Sequence, residues 1–212
     1  MPRIREIADV PEEFKTQFEQ VFGGETGKGT VSGTPGNWWT IWARVPGILR
    51  AFSAYSMRTA PFDAKLLEIA LMRTGYVRGS QFVFSQHCKS ARRAGLEDAK
   101  IEAIPYWTLS DVYTPAERAV LAYVDGLTLE NGRVHDRVFE ALKQHLGEEE
   151  ILMLTYFVNM YTLHAISGRA LRLEYDDVPE RVVEIPAPET RKVQDWLSTS
   201  WARAANIEGD AQ

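Results

Sequence analysis

The chain has a single cysteine, Cys88, so a disulfide within it is excluded, as is any CxxC redox or zinc site. Basic residues are outnumbered by acidic ones, 24 against 29, for a formal net charge of -5. No basic stripe offsets that balance. The densest basic stretch, Lys89, Arg92 and Arg93, has the spacing of one solvated helix face. Nucleic acid held by general electrostatics is therefore not an expected partner. Long apolar runs are missing as well. The opening MPRIREIADVPEEF carries charges where a signal peptide would be apolar. The longest apolar stretch, Ile151 to Leu173, is interrupted by Asn159, His164 and Arg169 and reads as a core helix rather than a membrane span. The expectation is a cytoplasmic protein with no membrane partner. Strand-like alternation is confined to Arg181–Ile185.

What remains is enough for one domain spanning 1–212: 45% hydrophobic and 25% charged residues, sufficient for one sizeable core. Residues 11–22, PEEFKTQFEQVF, read as a short amphipathic helix with Pro11 in its first turn. Residues 23–37 are rich in Gly, Ser and Thr and read as a flexible or lid-like loop. Its GETGKGT lacks the GxxxxGK[ST] spacing and no strand precedes it, so it is not a phosphate loop. Asn37 to Tyr55 suggests two short helices, the second starting at Pro46. Its aromatics, Trp38, Trp39, Trp42 and Phe52, can line a pocket, fill a core or meet another subunit.

From Asp63 to Val77, DAKLLEIALMRTGYV is apolar round nearly the whole cylinder and predicts a buried helix capped by Asp63. Arg78-Gly79 breaks it. A second helix runs from Ser80 to Ala94 and stops at Gly95. A short helix ends at Pro105. Thr114-Pro115-Ala116-Glu117 is a capping box that opens the next helix, through Leu127. Helices over Asp136–Leu146 and from Glu148 to about Leu173 follow. The tail from 178 to 212 reads as an extended, proline-punctuated arm with a terminal stretch around Trp196 and Trp201.

The hairpin over 61–104 carries the candidate chemistry. Glu68 lies ten residues before Arg78 and His87 nine after it. With a rise of about 1.5 Å per residue, both stand roughly 14–15 Å from the bend and can face each other. Such a pair offers one group that gives a proton and one that takes it near neutral pH. A buried structural pair is the alternative. Ser80, Val83 and His87, spaced i, i+3, i+7, share one helical face. Arg73 points elsewhere round the helix. His164 reads as a core histidine able to approach the pocket, while His135 and His145 read as surface. No metal set is expected, since Glu68, His87 and His164 lack ligand spacing.

The segment LLEIALMRTGYVRGSQFVFSQHCKSARRAGL resembles the carboxymuconolactone decarboxylase family, which includes the alkylhydroperoxidase D (AhpD) branch. That branch has Glu, eleven residues, then CxxCxxxH. Here the eleven residues after Glu68 lead to Ser80, then Val83 and His87, so Glu and His match while both cysteine positions are lost. The resemblance covers Pro61 to Ile104 and extends more weakly through TPAERAVLAYVDGLT.

It implies an all-α, AhpD-like helical bundle, here with an extended N-terminal segment and a C-terminal arm. It also implies self-association as a homotrimer or higher assembly, to which the Trp196/Trp201 stretch would contribute. Thiol peroxidase chemistry is not expected, because serine cannot cycle through sulfenic acid. The resemblance implies instead cofactor-free acid–base work on a small carboxylated or lactone-like compound. His87 would be the proton donor, with Glu68 as its partner. Ser80, Val83, Phe84, Trp42 and His164 are the expected substrate contacts, although for Ser80 capping of its helix is the favoured reading. Two alternatives stand beside this reading: an atypical redox protein using Cys88, and a non-catalytic ligand-binding or assembly member.

Overall fold

The computed structural model of the chain describes residues 2–24, 29–54 and 62–182. Within them lie nine α-helices: α1 Lys15–Phe22, α2 Asn37–Trp42, α3 Pro46–Ser53, α4 Ala64–Val77, α5 Gln81–Arg93, α6 Asp98–Ala103, α7 Pro115–Thr128, α8 Asp136–Lys143 and α9 Glu148–Leu171. No strand occurs among the described residues. Of the expected Arg181–Ile185 strand only the first two residues are described, and Trp196 and Trp201 lie outside the described residues. None of these helices is long and apolar enough to cross a membrane.

Helix α4 sits at the centre, packed against α5, α7 and α9. All residues from Leu67 to Gly75 are buried, as its all-round apolar pattern requires. Each of its faces has its own partner. Ile69 and Met72 meet Phe84 and Cys88 of α5. Ala70 meets Val120 and Val124 of α7 and Leu154 of α9. Leu67 and Leu71 meet Phe157 of α9. Arg73 leaves the bundle axis and forks onto Asp125, at 2.7 and 3.0 Å, while Trp107 donates to the same carboxylate at 3.0 Å.

The hairpin is locally encoded. Asp63 accepts from the Leu66 N–H at 2.8 Å and starts α4. Gly79, at φ +59°, takes the left-handed turn that reverses the chain. Ser80 then caps α5 by accepting from the Val83 N–H. The two helices come so close that a Cβ on Gly75 would lie 2.7 Å from the Phe84 backbone nitrogen. The Thr114–Glu117 capping box opens α7 as expected. Two elements differ from expectation. Pro11 precedes a short 3-10 turn rather than a full helix, and α8 ends at Lys143 instead of Leu146.

The ends wrap the bundle. Phe14, Phe18 and Phe22 pack with Ala43, Leu49 and the rings of Trp38, Trp39 and Trp42. After α9, Arg172 turns the chain in the left-handed conformation, and residues 173–182 return along α5. That return segment is tied down by Ser85 Oγ accepting from the Asp176 N–H at 3.1 Å. Farther along, Gln81 Oε1 accepts from the Val182 N–H at 2.7 Å, and Arg92 pairs with Glu180.

Candidate active site

Glu68 Oε2 lies 2.7 Å from His87 Nδ1, and both side chains are buried, His87 to 2% exposure. The matched heights of the two residues on α4 and α5 therefore become a direct hydrogen-bonded contact. A carboxylate offers only acceptors, so Nδ1–H is the donor in this bond. That leaves Nε2, which is buried and has no hydrogen-bond partner. A buried polar atom without a partner is uncommon and marks a place where a ligand atom or proton can be received.

His87 does not itself line the large cavity next to it. Its ring lies against the edge of Tyr161, 4.5 Å between centroids, and Tyr161 lines the cavity. Tyr161 also touches His164, at 5.0 Å. Burial first, and the negative charge of Glu68 second, push the Tyr161 hydroxyl above its ordinary pKa, so it remains a neutral phenol. The cavity, about 400 Å³, is walled by Trp38, Trp39, Phe52 and Phe82, and also lined by Thr30, Ser32 and Thr34 of the Gly-rich segment. The described part of the loop at 23–37 is thus a wall of the cavity, held by Lys89 Nζ donating to the Gly33 carbonyl at 2.6 Å.

His164 lines this cavity and is flanked by the rings of Trp38 and Phe52 at 5.3 and 5.1 Å. The other four expected substrate contacts do not line it. Ser80 is the cap of α5, and its hydroxyl is committed to Val83. Val83 packs with Ile41, Ala165 and Leu173. Phe84 lies on the opposite side of α5, among Ile69, Met72 and Cys88. Trp42 is at the far end of α2, stacked edge-on to Phe52 within the N-terminal aromatic cluster. The face spaced i, i+3, i+7 does turn inward, but packing fills it before His87 is reached. Tyr161 and Asp176, not singled out as contacts, are both in the cavity wall. A tyrosine one turn before His164 on the last helix was the available signal for the first.

Cys88 is fully buried and its pKa is pushed up to about 12, chiefly by burial and then by Glu180. A thiol in that setting is not a thiolate at neutral pH, so the redox reading lacks its nucleophile. No group of three metal-ligating side chains comes together among the described residues.

His164 is held neutral. Burial, and then the proximity of His87, lower its pKa to about 4. Because the folded value lies below the ordinary 6.5, the resulting stability is complete above that pH and is lost as pH falls towards 4. The shift corresponds to at most about 3 kcal/mol. Denaturant melts at pH 7 and pH 4.5 should therefore show a smaller acid loss in His164→Phe than in the wild type.

Residues 46–126 match the Carboxymuconolactone decarboxylase family. The matched segment runs from α3 into α7 and includes the Glu68–His87 hairpin. The chain has one cysteine and therefore no CxxC pair. An uncharacterized protein of Bacillus subtilis, YdfG, is 28% identical over 93 residues, 43% of this chain, and the match spans 63% of that relative's length. A crystal structure of a protein of unknown function from Agrobacterium tumefaciens, suggested to be an antioxidant defence protein AhpD, superposes with a TM-score of 0.60 at 25% identity. It covers 65% of this chain and 96% of that one. The AhpD core of an uncharacterized peroxidase-related protein from Ralstonia eutropha gives 0.68 at 16% identity, covering 82% and 90%. The debrominase Bmp8, in complex with 2,3,4-tribromopyrrole, gives 0.64 at 17% identity, covering 83% and 92%. The last two establish the shared AhpD-like helical bundle. One bundle thus underlies proteins whose names point to different chemistry, so the activity of this protein follows from its own side chains.

Proposed function

We propose that this protein is a cofactor-free acid–base enzyme in which Glu68 and His87 move a proton on a small carboxylated or lactone-like ring compound. The observation that carries the reading is the 2.7 Å bond from His87 Nδ1 to Glu68, which leaves a buried and unpartnered Nε2. With Nδ1–H held by the carboxylate, Nε2 presents a lone pair that can take a proton from carbon next to a carbonyl. The imidazolium so formed is stabilised by the adjacent Glu68 and returns the proton at another carbon. In a decarboxylation Nε2 would first take the proton of the substrate's carboxylic acid group; CO2 then departs with cleavage of the C–C bond, and the imidazolium delivers that same proton to the enolate carbon left behind. Tyr161, in contact with both the imidazole and the cavity, stands where the compound would meet His87.

Self-association belongs to the same proposal. Leu152, Tyr156, Leu163 and Ile166 form an exposed apolar stripe along α9, a surface suited to another copy.

The test uses a β,γ-unsaturated γ-lactone, followed by its shift into conjugation, and the carboxylated counterpart, followed by CO2 release. Wild-type protein should turn over at least one of them, and His87→Asn should be slower by at least about 100-fold with its thermal melt retained. No turnover of either compound, or equal turnover by the variant, would overturn the reading.

A further inference from the structure

The cavity beside Tyr161 has a second polar end. Asp176, on the segment returning from α9, is 3% exposed and lines the cavity. Lys89 donates to its Oδ1 at 3.3 Å, while Oδ2 is buried and has no hydrogen-bond partner. His164, 7% exposed on the same wall, likewise has an unpartnered Nε2. Two nine-tenths-buried side chains in one cavity thus each keep a polar atom unsatisfied, an arrangement that costs stability unless a ligand supplies the missing partner.

The chemistry of the wall restricts that ligand. Trp38, Trp39, Phe52, Phe82 and Tyr161 present ring faces and edges suited to a flat, unsaturated compound. The volume of about 400 Å³ suits one or two rings. The described lining residues include two acids, Glu174 and Asp176, and neither lysine nor arginine. An entering anion would meet no cation among the described lining residues and would lie close to Asp176. A cation is not called for either, because Lys89, which is not among the lining residues, already pairs with Asp176, and Arg93 adds a second positive charge nearby. An uncharged donor satisfies Oδ2 without adding a buried charge.

We infer that this cavity binds an uncharged ring compound bearing an N–H or O–H donor, received by Asp176 Oδ2, and that it discriminates against carboxylates. This narrows the substrate class of the proposed acid–base centre to its uncharged, lactone-like half and disfavours the carboxylated half, and it rests on that reading only in treating the bound compound as a substrate.

Phenol and benzoate, alike in ring and opposite in the relevant property, test it by calorimetric titration at neutral pH. Wild-type protein should bind phenol at least about tenfold more tightly than benzoate, the size expected for one hydrogen bond to a charged group. Asp176→Asn should reduce that preference to less than about threefold, by weakening phenol and admitting benzoate. Benzoate binding as tightly as phenol in the wild type, binding of neither, or an unchanged preference in Asp176→Asn would overturn the inference. If the variant fails to fold, the wild-type ratio alone decides. Binding is read without turnover, so a protein that keeps the phenol preference but has no activity would contradict the acid–base reading while leaving the site in place.

Discussion

Glu68→Gln should cut turnover by at least about 100-fold while leaving the protein folded. Glutamine keeps the shape of the side chain but removes its charge. It can also present either its oxygen or its NH2 to Nδ1, so it no longer dictates which imidazole nitrogen carries the proton. The imidazolium formed during the reaction then has no carboxylate beside it. Stability should move little, because exchanging a buried carboxylate for an amide also removes a desolvation cost. That combination separates two accounts of the pair. Were the Glu68–His87 contact purely structural, breaking it would cost about 3–5 kcal/mol. Steady-state rates and urea melts on the same preparation make the comparison.

Gly75→Ala should destabilise the protein by more than about 3 kcal/mol. In an ordinary helix interior the same change is favourable by about 1 kcal/mol, so even the sign is diagnostic. The new Cβ would stand 2.7 Å from the Phe84 nitrogen and 2.9 Å from its Cα. Those are backbone atoms and cannot swing aside as the end of a flexible side chain does. Helices α4 and α5 would have to part, and Glu68 lies two turns back along α4 from the point of contact. The Glu68–His87 bond should therefore lengthen, and activity should fall even in the fraction that remains folded. A shift of the urea midpoint, with unchanged steepness, is the measurement.

How far the sequence disclosed these features depended on whether the cause was local. The hairpin was legible because its signals are adjacent: Asp63 and Ser80 as caps, Gly79 as the turn, and a nearly continuous apolar run between. The equal distances of Glu68 and His87 from the bend then followed from helix rise alone. Gly75 was less legible. A lone glycine inside a helix signals close packing, but nothing adjacent says against what. The substrate contacts were least legible. Ser80, Val83 and Phe84 share the hairpin with His87, yet α5 gives the cavity wall only Phe82 and Gln86, the rest coming from α1, α2, α3, α9, the Gly-rich segment and the return strap. Asp176 reaches that wall only because Ser85 accepts the hydrogen bond of its N–H, a contact across 91 residues. Cys88 illustrates the opposite case. Its place next to His87 in the chain turns it about 100° away, and it joins the core beside Ile69 and Phe84.

The state of the His87 ring is open to direct observation by nitrogen-15 NMR of the wild-type protein and of Glu68→Gln. A carboxylate at Nδ1 requires the neutral ring to carry its proton there and to leave Nε2 bare, a preference that should vanish once glutamine replaces Glu68. A neutral His87 protonated at Nε2 in the wild type would contradict the account, because the atom assigned to receive the substrate proton would already be occupied.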